Sequence, residues 1–277
     1  MTHRRSPYEA PELYDLMFDT LDFDLAFWLA VGREAGGPVL DLCCGTGRIL
    51  LPLLDAGVDA DGVDLYRPML ARARKKAAAK GHRPRLAAAD MSAFRMPRRY
   101  ARVISAFNAF AHADTPDDQL ATLRCARKHL LPGGAFVVHM SYPGPRYWAE
   151  PEGEPVMELE VRRPGDGRRI QMWDTRVKDV VGQRQRSEIE IREIDEAGAV
   201  AKRTGFETSQ RWVYRYELEL LFRLAGYARW EFFGGFAGEP LEGEEQQMIA
   251  WAWNGRARPR VKAPAGGGAA PRTKTRP

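Results

Sequence analysis

VLDLCCGTGR, residues 39–48, decides how this chain is read. An apolar run carrying one acid, Asp41, meets a turn with Gly45 and Gly47. Ile49, Leu50, Leu53 and Leu54 then follow at helical spacing. A buried strand, a glycine turn and a helix leave free backbone N–H groups at the turn. A ligand can come close there because glycine has no side chain. Dinucleotide sites open in the same way, so the surroundings must decide what the turn holds.

Outward from this turn, strand and helix alternate. Residues 59–65 (DADGVDL) read as a second strand and 67–81 as a helix, with Pro68 near its start and Gly81 at its end. A third strand is expected in 83–91 and a fourth in 100–110. Thr115-Pro116-Asp117-Asp118 is a helix start with Asp118 placed for a capping box, and that helix is expected to run to Leu131. Pro132-Gly133-Gly134 then turns the chain into a strand over 135–141. Upstream, 11–35 carries mostly helical spacing. Short connections between alternating elements argue for a parallel sheet of βαβ units. The period then drops to two over 156–204, with Met157, Leu159 and Val161 on one side and Glu158, Glu160 and Arg162 on the other. Gly165-Asp166-Gly167, Gly182 and Gly198 mark turns, so this is an antiparallel meander inserted into the α/β body. A helix over 216–226 and strands over 228–234 and 246–253 complete the pattern.

Two more acids sharpen the turn. Asp64 ends the second strand, where a carboxylate can accept both hydroxyls of a ribose. Asp90 follows the third strand, where it can accept from an adenine amino group while Met91 packs the base. Asp41 beside the glycines suits an ammonium. Three carboxylates repel a phosphate-rich ligand, since each like charge at about 4 Å costs about 4 kcal/mol at an effective dielectric near 20.

VLDLCCGTGR, GVDLYRPMLARAR, AAADM, FNAF and LLPGGAFVVHMS together resemble the motifs of the class I S-adenosylmethionine-dependent methyltransferases, over roughly residues 10–254. The likeness is to the small-molecule branch, with an antiparallel sheet inserted after strand five. It implies an α/β, Rossmann-like seven-stranded sheet flanked by helices, in order 3-2-1-4-5-7-6 with strand 7 antiparallel. It implies S-adenosyl-L-methionine as cofactor, with Asp41, Gly45 and Gly47 at its methionine end. Asp64 would take the ribose, Asp90 and Met91 the adenine, and Phe107 would lie near the amino-acid part. Tyr14 would close over the whole. Cys43 stands where the family commonly has its first glycine.

Methyl transfer from a sulfonium is an in-line displacement, so no metal is expected and positioning is the larger catalytic factor. His112, just past FNAF, is the candidate general base, because imidazole titrates near neutrality; His139 reads as packed inside strand five. The acceptor wall is expected from the insertion and its junctions: Tyr142, Tyr147, Trp148, Trp173, Trp212 and Tyr214 as an apolar cage, with Arg176 or Arg215 to hold a carboxylate. The acceptor is expected to be a small molecule offering O or N. RNA or protein methylation, or a catalytically silent cofactor-binding subunit, are the alternatives.

Of the 42 basic residues, seven lie after Gly255, which leaves 35 against 37 acids in the body. A near-neutral body argues against extended nucleic-acid binding. Residues 255–277 are expected to be a disordered basic tail, residues 1–141 and 216–254 the core with an N-terminal helical lid, and 142–215 the insertion. Cys43, Cys44 and Cys125 form no disulfide framework, and no apolar run approaches the roughly 18–20 residues of a membrane helix. The reading is therefore a cytoplasmic enzyme without membrane contact. Its oligomeric state is left open.

Overall fold

β1 (Val39–Leu42) is buried at all four positions because it lies in the middle of the main sheet. The computed structural model describes residues 5–255, so the expected tail lies, apart from Gly255, outside the described residues. On one side of β1 lie β2 (Ala60–Asp64) and β3 (Leu86–Ala88); on the other lie β4 (Tyr100–Ser105) and β5 (Leu130–Ser141). These five run parallel. Beyond β5 come β11 (Gln247–Trp253), antiparallel to both its neighbours, and β10 (Arg229–Phe233) at the edge. The order is the expected 3-2-1-4-5-7-6, with β11 as the seventh strand.

Both faces of the sheet are covered, as parallel strands require. On one face α5 (Pro116–Lys128) and α7 (Arg215–Ala225) bring Leu123, Leu218 and Phe222 onto Val103, Phe136 and Val138. On the other, α2 (Leu25–Arg33) and α3 (Leu50–Asp55) bring Trp28, Val31, Leu50 and Leu53 onto Val39, Ile104 and Val137. α4 (Arg67–Ala79) adds Leu70 to the second layer.

Three local expectations are corrected. The helical spacing of 11–35 is two helices, α1 (Pro11–Phe18) and α2, because Arg48 takes hold of the segment between them. Its guanidinium donates to the Leu21 carbonyl at 3.0 Å and to both oxygens of Asp24 at 2.6 and 2.8 Å. The Thr115 hydroxyl accepts from the Asp118 amide, as a cap should, but the Asp118 carboxylate takes the Thr115 hydroxyl and not its amide. Pro132-Gly133-Gly134 lies inside β5, which starts at Leu130 just after α5 ends. The β4–β5 register shifts there, and a side chain on Gly134 would meet three carbonyl oxygens at 3.0–3.1 Å.

The insertion begins with α6 (Pro145–Ala149). Four antiparallel strands follow in sequence order: β6 (Pro155–Arg162), β7 (Arg169–Asp179), β8 (Arg184–Ile194) and β9 (Val200–Arg211). Ile170, Ile191 and Phe206 pack on Met17 of α1. Arg5 bridges to Phe206, and the Glu207 amide donates to the Arg5 carbonyl at 3.0 Å. The N-terminal segment thus spans from the main body to the inserted sheet.

Candidate active site

The chain leaves β1 toward β2 and leaves β4 toward β5, so a crevice opens beyond their carboxyl ends. A cavity of about 570 Å³ occupies it, lined by the glycine turn, the N-terminal segment and the inner face of β7–β9.

The half nearest β1 is built from backbone turns. Gly45 has φ +55°, and its amide donates to Asp64 Oδ2 at 2.8 Å while the Tyr66 amide donates to Oδ1 at 2.8 Å. Two amides therefore hold the buried Asp64 carboxylate in place. Burial raises its pKa, and those two amides oppose the rise. Asp41 is pushed up to about 7, chiefly by burial and against the pull of the Arg48 guanidinium. Cys43 occupies a left-handed φ of 65° and sets its Sγ 3.9 Å from Met91 Sδ. Tyr14, Phe18 and Phe107 run across the roof at centroid distances of 4.9 and 5.7 Å. Of the expected residues, Asp41, Gly45, Asp64, Asp90, Met91, Phe107 and Tyr14 all line the cavity. Gly47 does not; at φ +94° it shapes the turn, and a Cβ there would lie 2.9 Å from Leu51.

This donor set can be tested against a ligand. Carboxylates suit hydroxyls and an ammonium, while sulfurs and aromatic faces suit a base and a sulfonium. A pyrophosphate needs cations, and the cation of this half, Arg48, is already spent on Asp24. The residues fit a positively charged sulfonium nucleoside.

Residues 39–134 match a family described as a methyltransferase domain. Among curated proteins the chain is 27% identical over 245 residues to the cypemycin N-terminal methyltransferase of a Streptomyces species, covering 87% of this chain and 94% of that one. It is 31% identical over 116 residues to a dTDP-3-amino-3,4,6-trideoxy-α-D-glucopyranose N,N-dimethyltransferase of Streptomyces venezuelae, covering 42% and 47%. Among solved structures the CcbJ methyltransferase of Streptomyces caelestis superposes with a TM-score of 0.71 at 25% identity, covering 89% of this chain and 97% of that one. The chain belongs to the class I S-adenosylmethionine-dependent methyltransferases. It is an enzyme, its cofactor is S-adenosyl-L-methionine, and no described helix is long and apolar enough to cross a membrane.

In the other half of this methyltransferase's cavity, His112 sits on a short 3-10 turn (Ala109–His112) just past β4. Phe107 and Asn108 before it both take left-handed φ values, 53° and 60°. Asn108 is held there by Ser141, whose amide donates to its side-chain oxygen and whose hydroxyl accepts from its amide nitrogen. His112 Nδ1 lies 2.9 Å from the Ser209 carbonyl, which can only accept, so Nδ1 carries the proton. Nε2 is then an acceptor, and the Tyr8 hydroxyl lies 2.7 Å from it. Burial lowers the His112 pKa and raises that of Tyr8, so the pair is neutral. Tyr8 was absent from the expected site; only its tyrosine character in a short N-terminal turn could have flagged it.

The acceptor wall differs from the expected aromatic cage. Along β7, Met172, Asp174 and Arg176 line the cavity. Trp173 points away and stacks under Arg192 at 4.1 Å. Tyr142 packs on Tyr214, Tyr147 and Trp148 pack on Trp212, and Arg215 lies over Tyr216 and Phe232; none of these lines the cavity. Of the expected acceptor residues only Arg176 reaches it, and it is bound at 2.7 Å to each of Asp174, Glu150 and Glu158. Burial acts to lower its pKa, but the three carboxylates outweigh it and raise it, and each of its three nitrogens already donates to one of them. Asp174 is buried, held through Oδ2 by Arg176 and Ser187, while its Oδ1 has no partner. Ser187, Gln185, Thr208 and Gln210 complete a hydrogen-bonding face.

Proposed function

We propose that this enzyme methylates a nitrogen of a small, hydrogen-bonding amine. The observation that carries the reading is the charge of the acceptor half. Asp114, Asp174 and Glu207 line it, and its one arginine, Arg176, is outnumbered by its own three carboxylates. Such a wall attracts an ammonium and repels a carboxylate, which reverses the role first expected of Arg176. The named relatives agree in kind, since one is a peptide N-terminal methyltransferase and another an amino-sugar N,N-dimethyltransferase.

In this reading Asp64 accepts the ribose hydroxyls, Asp90 and Met91 hold the adenine, and Asp41 and Gly45 face the methionine end under Tyr14 and Phe107. The bound cofactor supplies an electrophilic methyl on a sulfonium. An ammonium must shed a proton before its nitrogen can attack. Tyr8 oxygen can accept that proton as its own passes to His112 Nε2, which leaves an imidazolium near Asp114. The near-neutral body and the three free cysteines support a small acceptor, rather than nucleic acid, in a reducing cytoplasm.

The test is a turnover panel followed by release of S-adenosylhomocysteine. It pairs amino sugars and a short peptide with a free N-terminus against the matching hydroxyl and carboxylate compounds. Turnover confined to amines is expected. Turnover confined to the hydroxyl or carboxylate compounds would overturn the reading.

A further inference from the structure

His139 is a buried polar side chain in an apolar run of β5. Phe136, Val137, Val138 and Met140 around it are buried, and His139 itself is 2% exposed. Its ring lies against Phe236 and Phe23, at centroid distances of 4.9 and 6.4 Å. An imidazole is costly to bury in such company unless its nitrogens are bonded. Nε2 lies 2.9 Å from Gln247 Oε1 on the neighbouring β11, and Nδ1 lies 3.3 Å from the Phe107 amide nitrogen. A backbone amide can only donate, so Nδ1 is bare and Nε2 carries the one proton of the ring. His112 holds the opposite tautomer. Burial lowers the His139 pKa, which favours the neutral ring that this bond requires.

What Nδ1 holds is a strained turn. β4 ends at Ser105, which pairs with Val138, so His139 stands one residue beyond the ladder. There Phe107 and Asn108 take consecutive left-handed φ values of 53° and 60°. Asparagine tolerates that region, but a bulky phenylalanine enters it only where its surroundings hold it. β5 supplies the hold. The His139 ring accepts from the Phe107 amide, the His139 carbonyl accepts from the Asn108 amide at 3.3 Å, and Ser141 binds the Asn108 side chain. Of these bonds, the one to Phe107 is made by the side chain of residue 139.

The turn serves both halves of the cavity. It brings the Phe107 ring to Phe18, Phe23 and the Arg48 guanidinium, and it leads directly into the 3-10 turn that carries His112. Phe107, Asn108 and His112 all line the cavity, while His139 lies behind them. We infer that His139 is a positioning residue of this methyltransferase, whose bare Nδ1 locks the left-handed Phe107-Asn108 turn and so seats Phe107 over the cofactor. This role rests on the proposed seat of the cofactor under Phe107.

The experiment separates the two ends of the ring. Asparagine can place an oxygen where imidazole has Nδ1, glutamine puts its amide where imidazole has Nε2, and leucine offers neither. His139→Leu and His139→Gln should weaken calorimetric binding of S-adenosylhomocysteine by about tenfold to a hundredfold, since the Phe107 amide loses its acceptor. Both should speed hydrogen exchange of the 105–112 amides by about tenfold or more while β11 exchanges as in the parent, the mark of a local opening. His139→Asn should bring both readings back toward the parent. Should His139→Leu fail to fold, His139→Gln carries the comparison with His139→Asn. A ring kept for packing alone would give the reverse order, with leucine nearest the parent and asparagine furthest, and that order overturns the inference. Phe107→Ala tests the seat separately. Unchanged affinity in Phe107→Ala overturns the seat, and the role of His139 at the cofactor with it. Weakened binding in Phe107→Ala beside parental binding and exchange in His139→Leu and His139→Gln overturns the role of His139 alone.

Discussion

The Tyr8 hydroxyl lies 2.7 Å from Nε2 of His112, a residue 104 positions further along the chain. Because Nδ1 is committed to the Ser209 carbonyl, the Tyr8 proton points at the imidazole and the phenol oxygen keeps its lone pairs for the cavity. In the proposed mechanism His112 reaches an acceptor through Tyr8. Tyr8→Phe should lower kcat with an amine from the panel by about 10²–10⁴-fold, while S-adenosylhomocysteine binds as before. Burial holds the His112 pKa below its ordinary 6.5, so the parent's rate should stay level through that pH and fall only further into acid. His112→Ala should remove that acid limb. A Tyr8→Phe variant with parental kcat would show that the pair serves structure alone.

Asp64 should govern cofactor affinity. Its carboxylate is buried and held by the Gly45 and Tyr66 amides, each at 2.8 Å, so it needs little further ordering to accept two hydroxyls. Asp64→Ala should cost about 2–4 kcal/mol in calorimetric binding of S-adenosylhomocysteine, taking hydrogen bonds to a charged group at about 1.5–3 kcal/mol each. Unchanged affinity would remove Asp64 from the site.

Asp41 should make both stability and cofactor binding depend on pH, in opposite senses. Its folded pKa of about 7 lies above the ordinary 3.8, so the folded chain holds a proton that the unfolded chain has lost. The associated stability is complete below pH 3.8 and falls as pH rises toward 7, by a few kcal/mol at most on the order of 1.4 per pKa unit. A cationic ligand favours the ionised form, so cofactor affinity should rise over the same window. Asp41→Asn should flatten both trends, read by thermal denaturation and calorimetry across that range. Trends that persist in the variant would assign them to another group.

The Arg48–Asp24 pair should be a large single contribution to holding the roof. Both side chains are buried, and two charge-assisted bonds join them. Asp24→Asn leaves the guanidinium buried with a weakened partner beside Phe107, whose ring it faces at 5.0 Å. The cost of breaking a buried pair is about 3–5 kcal/mol, and cofactor affinity should fall with it as the segment joining α1 and α2 loosens. Denaturant unfolding of the variant measures the first effect; a loss under about 1 kcal/mol would show that water replaces the pair freely.

What the sequence determined by itself is the main sheet and the part of the cavity nearest β1. Both follow from local rules. Glycines mark where the backbone must turn, strand ends mark where an acid can face a crevice, and Asp41, Gly45, Asp64, Asp90, Met91 and Phe107 all fall within one run of alternating strand and helix. Cys43 holds a left-handed φ of 65°, which glycine takes freely and an unbranched residue such as cysteine takes only with some strain. The tertiary structure alone decided the acceptor half. Side chains on a strand alternate between faces, and nothing in residues 169–179 says which face is covered, so Trp173 could be read inward while Asp174 and Arg176 in fact hold that place. Nor can a sequence show that Arg176 meets Glu150, Glu158 and Asp174 at once, or that Tyr8 meets His112, because a charge or a proton acquires its partner only when distant segments of chain are brought together.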